Sequence, residues 1–175
     1  MSALRLAPDV AAWAQAAADL VNTGPRPTNP VEQLLAPGDL ERLLPEPPPP
    51  FGAADLPAVR EARARLYDAF AAADMDELAA ALNPLLGAWG MQRTGERWVL
   101  GPAARGGVAA WVGARAARGL AELATTYGLE RLHICQADDC SAAVVDVSRN
   151  GARRYCSRTC ATRVNVRRFR ELHAG

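Results

Sequence analysis

The sequence contains no lysine and only two histidines, and 6% of its 175 residues are aromatic. All 20 basic residues are arginines. Because alanine is also abundant, GC-rich coding is a sufficient explanation of the arginine content, and only the clustering of the arginines is informative. His133 and His173 do not lie in the pattern of a serine or cysteine protease, and no serine lies in a nucleophile elbow. The sequence therefore gives no residue-level support for an enzyme.

Long apolar runs are also missing, and none approaches the roughly 20 residues that cross a bilayer as a helix. The alanine-rich start of the chain resembles a signal peptide, but Pro8, Asp9, Gln15 and Asp19 interrupt it. We therefore expect a cytoplasmic protein without membrane contact. In a reducing compartment, clustered cysteines favour a metal site over disulfides.

Charge is distributed unevenly along a chain that is half apolar and has a formal net charge of +1. Residues 131–175 carry nine arginines against four acids, whereas the rest of the chain carries eleven arginines against fifteen acids. An acidic body and a basic end suggest two modules with different partners. We therefore predict an N-terminal domain over 1–130 and a second domain over 131–175.

Apolar spacing typical of amphipathic helices dominates the first domain. It predicts helices over 9–21 and 55–72, from Asp74 to a close or kink at Pro84, and over 103–127, with short helical pieces around 30–36 and 38–44. The proline-rich segment 45–50 should be an extended connector. Alternation around Thr94-Gly95 predicts a β-hairpin over 89–100.

The four tryptophans are most simply core residues, because each can bury a large apolar area. They could instead line a ligand cavity, and this alternative stays open for Trp13, Trp89, Trp98 and Trp111.

The four cysteines form a C-x4-C-x15-C-x3-C array: Cys135, Cys140, Cys156 and Cys160. Two thiolate pairs from separate local turns supply the four soft ligands of a tetrahedral zinc ion. A segment of about 45 residues also needs such a staple to hold a core. A closed four-thiolate site leaves no position for water, so we predict one structural Zn²⁺. Disulfides and a redox thiol switch are the alternatives, and His133 could be a substitute ligand.

The sequence between the cysteines predicts a ββα arrangement of the treble-clef type. Residues 142–148 form a strand in this interpretation, Asn150-Gly151 a tight turn, and 153–155 the returning strand. Ser157 should cap a helix over 158–172, whose positive end lowers the pKa of the cysteine thiols. The predicted fold class is thus α+β: a mostly helical first domain with a small β-hairpin or sheet, followed by this zinc module.

Arginines cluster on and beside the predicted helix. Arg163, Arg167 and Arg170 share one stripe and repel each other unless an anion lies against them. Further charge comes from the hairpin at Arg149, Arg153 and Arg154. Phosphates are the polyanion that the arginine fork binds, so we predict a nucleic acid partner, with DNA as the first choice. A solvated basic face, or one paired with the acidic domain, is the alternative.

Another face of the same helix carries Thr162, Val166 and Phe169. We expect these side chains to pack on the hairpin or on the first domain.

The cysteine segment resembles the CGNR zinc finger, a bacterial module that follows an N-terminal domain called ABATE. The matching positions are Cys135, Cys140, Asp146, 148–150, 153–154, 156–157, Cys160 and Arg163, and "DLVNT" (19–23) resembles the Asn-Thr motif of ABATE. The four-residue motif that gives the CGNR zinc finger its name reads "CATR" here, because Ala161 replaces Gly and Thr162 replaces Asn. The basic residue that follows the motif in the family is replaced by Asn165. The resemblance implies a stress-responsive transcription regulator with a zinc-dependent nucleic-acid-binding end.

We therefore predict a transcription regulator that binds nucleic acid through its basic zinc finger. Its N-terminal domain would bind a small-molecule effector or a protein partner, and a homodimer would suit operator binding. The alternative is a zinc-stabilised protein-interaction adaptor that does not bind nucleic acid directly.

Overall fold

The computed structural model describes residues 7–27, 29–87, 89–94, 97–102 and 106–173, with backbone alone over 89–102. Helices dominate the first part of the described chain: α1 (Pro8–Val21), α2 (Pro37–Glu41), α3 (Leu56–Ala71), α4 (Met75–Leu86) and α5 (Gly107–Tyr127). The strands form two antiparallel pairs. Strands β1 (Trp89–Thr94) and β2 (Arg97–Pro102) lie between α4 and α5, and strands β3 (Leu132–Ile134) and β4 (Ala143–Val145) follow α5. Helix α6 (Arg158–Leu172) is the last of these elements in the described chain. The fold is mostly helical α+β, as predicted.

Helix α5 lies at the centre of the helical core and contacts α1, α3 and α4. Small residues allow the close approach of α1, because a Cβ on Gly119 would lie 2.6 Å from the backbone nitrogen of Ala14. Leu120 and Leu123 of α5 are fully buried beside the alanines of α1. Any larger residue at position 119 would therefore force these two helices apart.

Local signals fixed several helix boundaries. Asp74 caps α4, since its side chain accepts a hydrogen bond from the backbone N–H of Glu77. The helix continues past Pro84 to Leu86 and ends at Gly87, which has a positive φ of 57°.

The predicted helical piece over 30–36 is wrong, because this segment contains neither helix nor strand. The backbone N–H of Leu34 donates to Glu32 within the segment, which satisfies the backbone locally without a helix. The predicted piece around 38–44 is the short helix α2, and 45–50 is a connector without regular structure.

Two of the tryptophans pack together at the surface of the core. Trp13 is buried and meets the half-buried Trp111 edge to face, with ring centroids 5.2 Å apart. Arg115 lies 4.5 Å from the Trp111 ring centre and forms an ion pair with Glu46. The side chains of Trp89 and Trp98 lie outside the described residues. So do the turn residues of the β1–β2 hairpin, which was predicted over 89–100 and whose second strand extends to Pro102.

The hairpin predicted between 142–148 and 153–155 is wrong. Strand β4 pairs with β3, which precedes it in the chain, and 153–155 is not a strand. Leu132, Ala143 and Val145 reach the main core beneath α1 and α3, so burial selects the earlier segment as the partner of β4. Among the described residues, no helix is both long and apolar enough to cross a membrane.

Candidate metal centre and basic helix

The first pair of cysteines lies at the turn between β3 and β4. Cys135 follows β3, and its backbone N–H donates to the carbonyl of Ala142 at 2.8 Å, which closes the turn. Within it, the N–H of Cys140 donates to the carbonyl of Ala137 at 2.9 Å. We call residues 135–140 the knuckle.

The second pair lies at the start of α6. Ser157 has an extended backbone, and its hydroxyl accepts a hydrogen bond from the N–H of Cys160 at 3.2 Å. This cap starts the helix at Arg158, as predicted, and places Cys156 just before the helix and Cys160 in its first turn.

All four sulfur atoms lie within 4.8 Å of one another. The Sγ atoms of Cys140 and Cys156 are 3.7 Å apart, and those of Cys156 and Cys160 are 3.6 Å apart. A disulfide needs about 2.05 Å, whereas a tetrahedron of Zn–S bonds of about 2.3 Å has edges of about 3.8 Å. All four cysteines are free. The cluster could therefore hold one zinc ion.

Two N–H donors point at the sulfurs. The backbone N–H of Cys156 donates to Sγ of Cys135 at 3.4 Å, and the guanidinium of Arg163 donates to Sγ of Cys160 at 3.6 Å. Donors of this kind suit thiolates rather than thiols. His133 hydrogen-bonds the carbonyl of Glu130 through Nδ1 and does not belong to the cluster.

Without a cation, burial raises the pKa of the Cys156 thiol to about 12, and the neighbouring thiol of Cys160 adds to this effect. At Cys156 the expected lowering of the pKa by the helix end is thus outweighed by burial and by the neighbouring thiols. A bound cation would reverse the balance by neutralising the thiolates.

A buried carboxylate organises the loop between β4 and the second cysteine pair. Asp146 is 1% exposed and accepts hydrogen bonds from the backbone N–H groups of Ser148 and Arg153 at 2.8 and 2.9 Å. Burial alone would raise the pKa of Asp146, but the hydrogen bonds from Ser148 and Arg153 and the charge of Arg131 hold it below its ordinary value. The loop is therefore built around a charged residue.

Of the candidate phosphate ligands, Arg153 is engaged within the protein. Its guanidinium donates to the carbonyls of Val145 at 3.3 Å and Cys156 at 3.0 Å, which ties β4 to the second cysteine pair. On this geometry we infer that Arg153 has a structural role.

Two arginines of the predicted stripe form ion pairs with the knuckle. Arg163 pairs with Asp139 at 2.6 Å, and Arg167 pairs with Asp138. Sequence analysis missed these acids as partners, although they are the only acids between the first two cysteines.

Other arginines of the basic end are exposed and have no ion pair within the described part of the chain. Three of them were predicted: Arg149, Arg154 and Arg170. Two more on α6 were missed, Arg158 and Arg168. These two arginines do not share the helical repeat of the predicted stripe, so the sequence pattern did not indicate them.

The expected packing of Thr162, Val166 and Phe169 is wrong. All three are exposed, and α6 buries Cys160 and Val164 instead. The sulfur cluster determines this orientation, because Cys160 must face it and Val164 lies one turn further along the same side.

The Asn-Thr motif connects the helical core to the zinc module. The side chain of Asn22 accepts from the N–H of Ala143 and donates to its carbonyl, both at 2.9 Å. The hydroxyl of Thr23 accepts a hydrogen bond from the guanidinium of Arg63, which also donates two hydrogen bonds to the carboxylate of Glu32, at 2.6 and 2.7 Å. Sequence analysis identified the motif but not this contact, whose partner is 121 residues away.

These features define a zinc-finger protein, in which a four-cysteine metal site between the β3–β4 turn and the start of α6 follows a helical domain. A family model described as "CGNR zinc finger" matches residues 131–173. The model of the ABATE family, described as "Putative stress-induced transcription regulator", matches residues 14–127, and the chain belongs to this family. A search among curated proteins gave no match.

Proposed function

We propose that this protein is a bacterial transcription regulator that binds duplex DNA through residues 131–175. The observation that carries the proposal is the set of exposed arginines on and beside α6 that form no ion pair with any residue the structure describes, on a helix anchored by a four-sulfur site. The zinc ion would be structural, held by Cys135, Cys140, Cys156 and Cys160, and would fix the orientation of the helix.

Charge balance supports a polyanionic partner. The knuckle acids pair with Arg163 and Arg167, and the exposed arginines of the described basic end that remain for phosphates are Arg149, Arg154, Arg158, Arg168 and Arg170. Like charges on one short helix repel each other, and phosphate groups would relieve this repulsion.

The N-terminal domain would sense an effector or bind a partner protein. A cleft of about 530 Å³ supports a ligand site there, lined by Glu41, Leu44, Glu46, Phe51 and the prolines between 45 and 50. The Asn22–Ala143 contact offers a physical connection from the helical domain to the zinc module.

An interaction adaptor without nucleic acid binding is the second candidate. The exposure of Val166 and Phe169 favours it, because apolar side chains on a surface helix often mark protein contacts. The absence of enzymatic activity stays a prediction.

Salt dependence of DNA binding by the zinc-loaded full chain tests the proposal. A generic 20-bp duplex should bind with an affinity that falls steeply with salt. Arg168→Ala with Arg170→Ala should reduce the slope of log K against log salt by about 1.8, because two phosphate contacts are lost. The matched control, Arg42→Ala with Arg65→Ala, removes two exposed arginines from the helical domain and should leave the slope unchanged. No binding by the wild type, or equal slopes in all three proteins, would favour the adaptor.

A further inference from the structure

The solvent-facing side of α6 has a composition of its own. A helix turns by about 100° per residue, so Thr162, Val166 and Phe169 lie along one line, directly opposite the buried Val164. Phe169 is 61% exposed and Val166 is 43% exposed. Asn165 lies beside this line and is also exposed. We call these four residues the outer face of α6.

The aromatic ring on the outer face is held in place. Phe169 stacks on His173 with ring centroids 4.0 Å apart, and Nδ1 of His173 lies 2.7 Å from the carbonyl of Phe169. An exposed ring with a fixed orientation can make a contact with little loss of conformational entropy.

Arginines flank the outer face on both sides. Arg163, Arg167 and Arg170 lie along one edge, Arg168 lies on the other side, and Arg158 lies in the first turn close to the line itself. A second copy of this helix would bring the same positive edges together, so charge disfavours self-association through this face. A ligand with uncharged groups at its centre and negative charge on either side fits it.

The helix is also accessible. Every residue from Asn165 to Leu172 is exposed, which is about 12 Å of helix beyond Val164, the last residue that it buries. The major groove of DNA is about 12 Å wide and admits one α-helix between its two phosphate rows.

We propose that α6 is a recognition helix that enters the major groove of duplex DNA. Thr162, Val166 and Phe169 contact base edges, chiefly the methyl groups of thymines, and the amide of Asn165 is placed to pair with an adenine edge. Arg170 on one side of the outer face and Arg168 on the other contact the phosphates of the two strands. This inference rests on the proposed function and adds sequence readout to it.

The test begins with a duplex recovered by the zinc-loaded wild-type chain from a random-sequence library. Binding of this duplex is compared with that of a shuffled duplex of the same composition, by fluorescence anisotropy at one salt concentration. Val166→Ala with Phe169→Ala should weaken binding of the selected duplex about tenfold and change binding of the shuffled duplex less than about twofold, because phosphate contacts remain. Replacing thymine by deoxyuridine in the selected duplex should weaken wild-type binding roughly fourfold for each contacted methyl group.

The matched control is Val31→Ala with Leu35→Ala, which truncates two apolar residues that are 62% and 67% exposed in the helical domain. It should bind both duplexes as the wild type does. Zinc content and circular dichroism confirm that each variant is folded.

Four results would overturn the inference while leaving DNA binding in place. The first is a random library that yields no enriched sequence, and the second is an unchanged preference of the Val166/Phe169 variant for the selected duplex. The third is equal weakening of this variant's binding to both duplexes, and the fourth is a wild-type dimer in sedimentation that this variant dissociates. A wild-type chain that binds no duplex at all would instead overturn the proposed function as well.

Discussion

Asn22 joins the helical core to strand β4. Its amide satisfies both backbone groups of Ala143, a buried residue of β4 next to the zinc module. Asn22→Ala leaves this N–H and carbonyl without partners, which should lower the free energy of unfolding by about 1–3 kcal/mol. Urea denaturation of the zinc-loaded proteins measures the change. Asn165→Ala, an exposed substitution on α6, is the control and should be neutral, and equal stability of the two variants would refute the role of Asn22.

Glu32 makes the stability of the helical domain depend on pH. The hydrogen bond from Arg63 lowers the pKa of Glu32 from its usual 4.5, against the opposing effect of burial. A carboxyl with a lowered pKa stabilises the fold above pH 4.5, and this contribution is lost as the pH falls through its folded-state pKa. Wild type should therefore be more stable than Glu32→Gln at pH 7, and the difference should shrink below about pH 4.5. Denaturation at several pH values measures it, and a difference that does not change with pH would contradict the assignment.

The knuckle and α6 form an element pair in which acids and phosphates compete for the same arginines. Asp138 and Asp139 hold Arg167 and Arg163 in exposed ion pairs, each worth less than about 1 kcal/mol. Asp138→Asn with Asp139→Asn should raise the affinity for duplex DNA about three- to fivefold, because two competing charges are removed. Anisotropy titrations measure the gain.

The matched control for the knuckle variant is Glu61→Gln with Asp68→Asn, which removes two exposed acids from α3. An equal gain in this control would assign the effect to net charge rather than to the ion pairs of the knuckle.

Local sequence signals predicted the bounds of α6, whereas the side of the helix that is buried depends on contacts with residues distant in the sequence. Ser157 and the cysteine spacing fixed the helix bounds, since a cap acts within a single turn. The buried side of α6 was predicted wrongly because Val166 and Phe169 together are more apolar than Cys160 and Val164, the two residues that the helix buries. The three-residue strand β3 had no signal of its own, and its pairing with β4 depends on burial beneath α1.

At the scale of the whole molecule, the described residues form two apolar clusters. The larger contains most of the buried residues of α1–α5 together with Leu132, Ala143 and Val145. The smaller contains three of the four cysteines among its buried residues and is completed by Ala137, Ala142, Val144 and Val164. The charge asymmetry of the sequence predicted a division near residue 130, but not that one face of the β3–β4 pair would belong to the larger cluster.

This arrangement predicts that zinc loss unfolds one end of the protein and spares the other. Chelation should release α6, whose buried contacts are confined to the smaller cluster, and circular dichroism should lose the signal of about 15 helical residues. All four tryptophans precede residue 112, so tryptophan fluorescence reports on the helical domain and should stay unchanged. Cys156→Ser should lower the zinc content from one ion per chain and show the same partial loss, while Ser141→Ala, beside the knuckle, should behave as the wild type. If fluorescence and helicity instead changed together, the two clusters would form one cooperative unit, and the zinc site would support the whole fold rather than the orientation of a single helix.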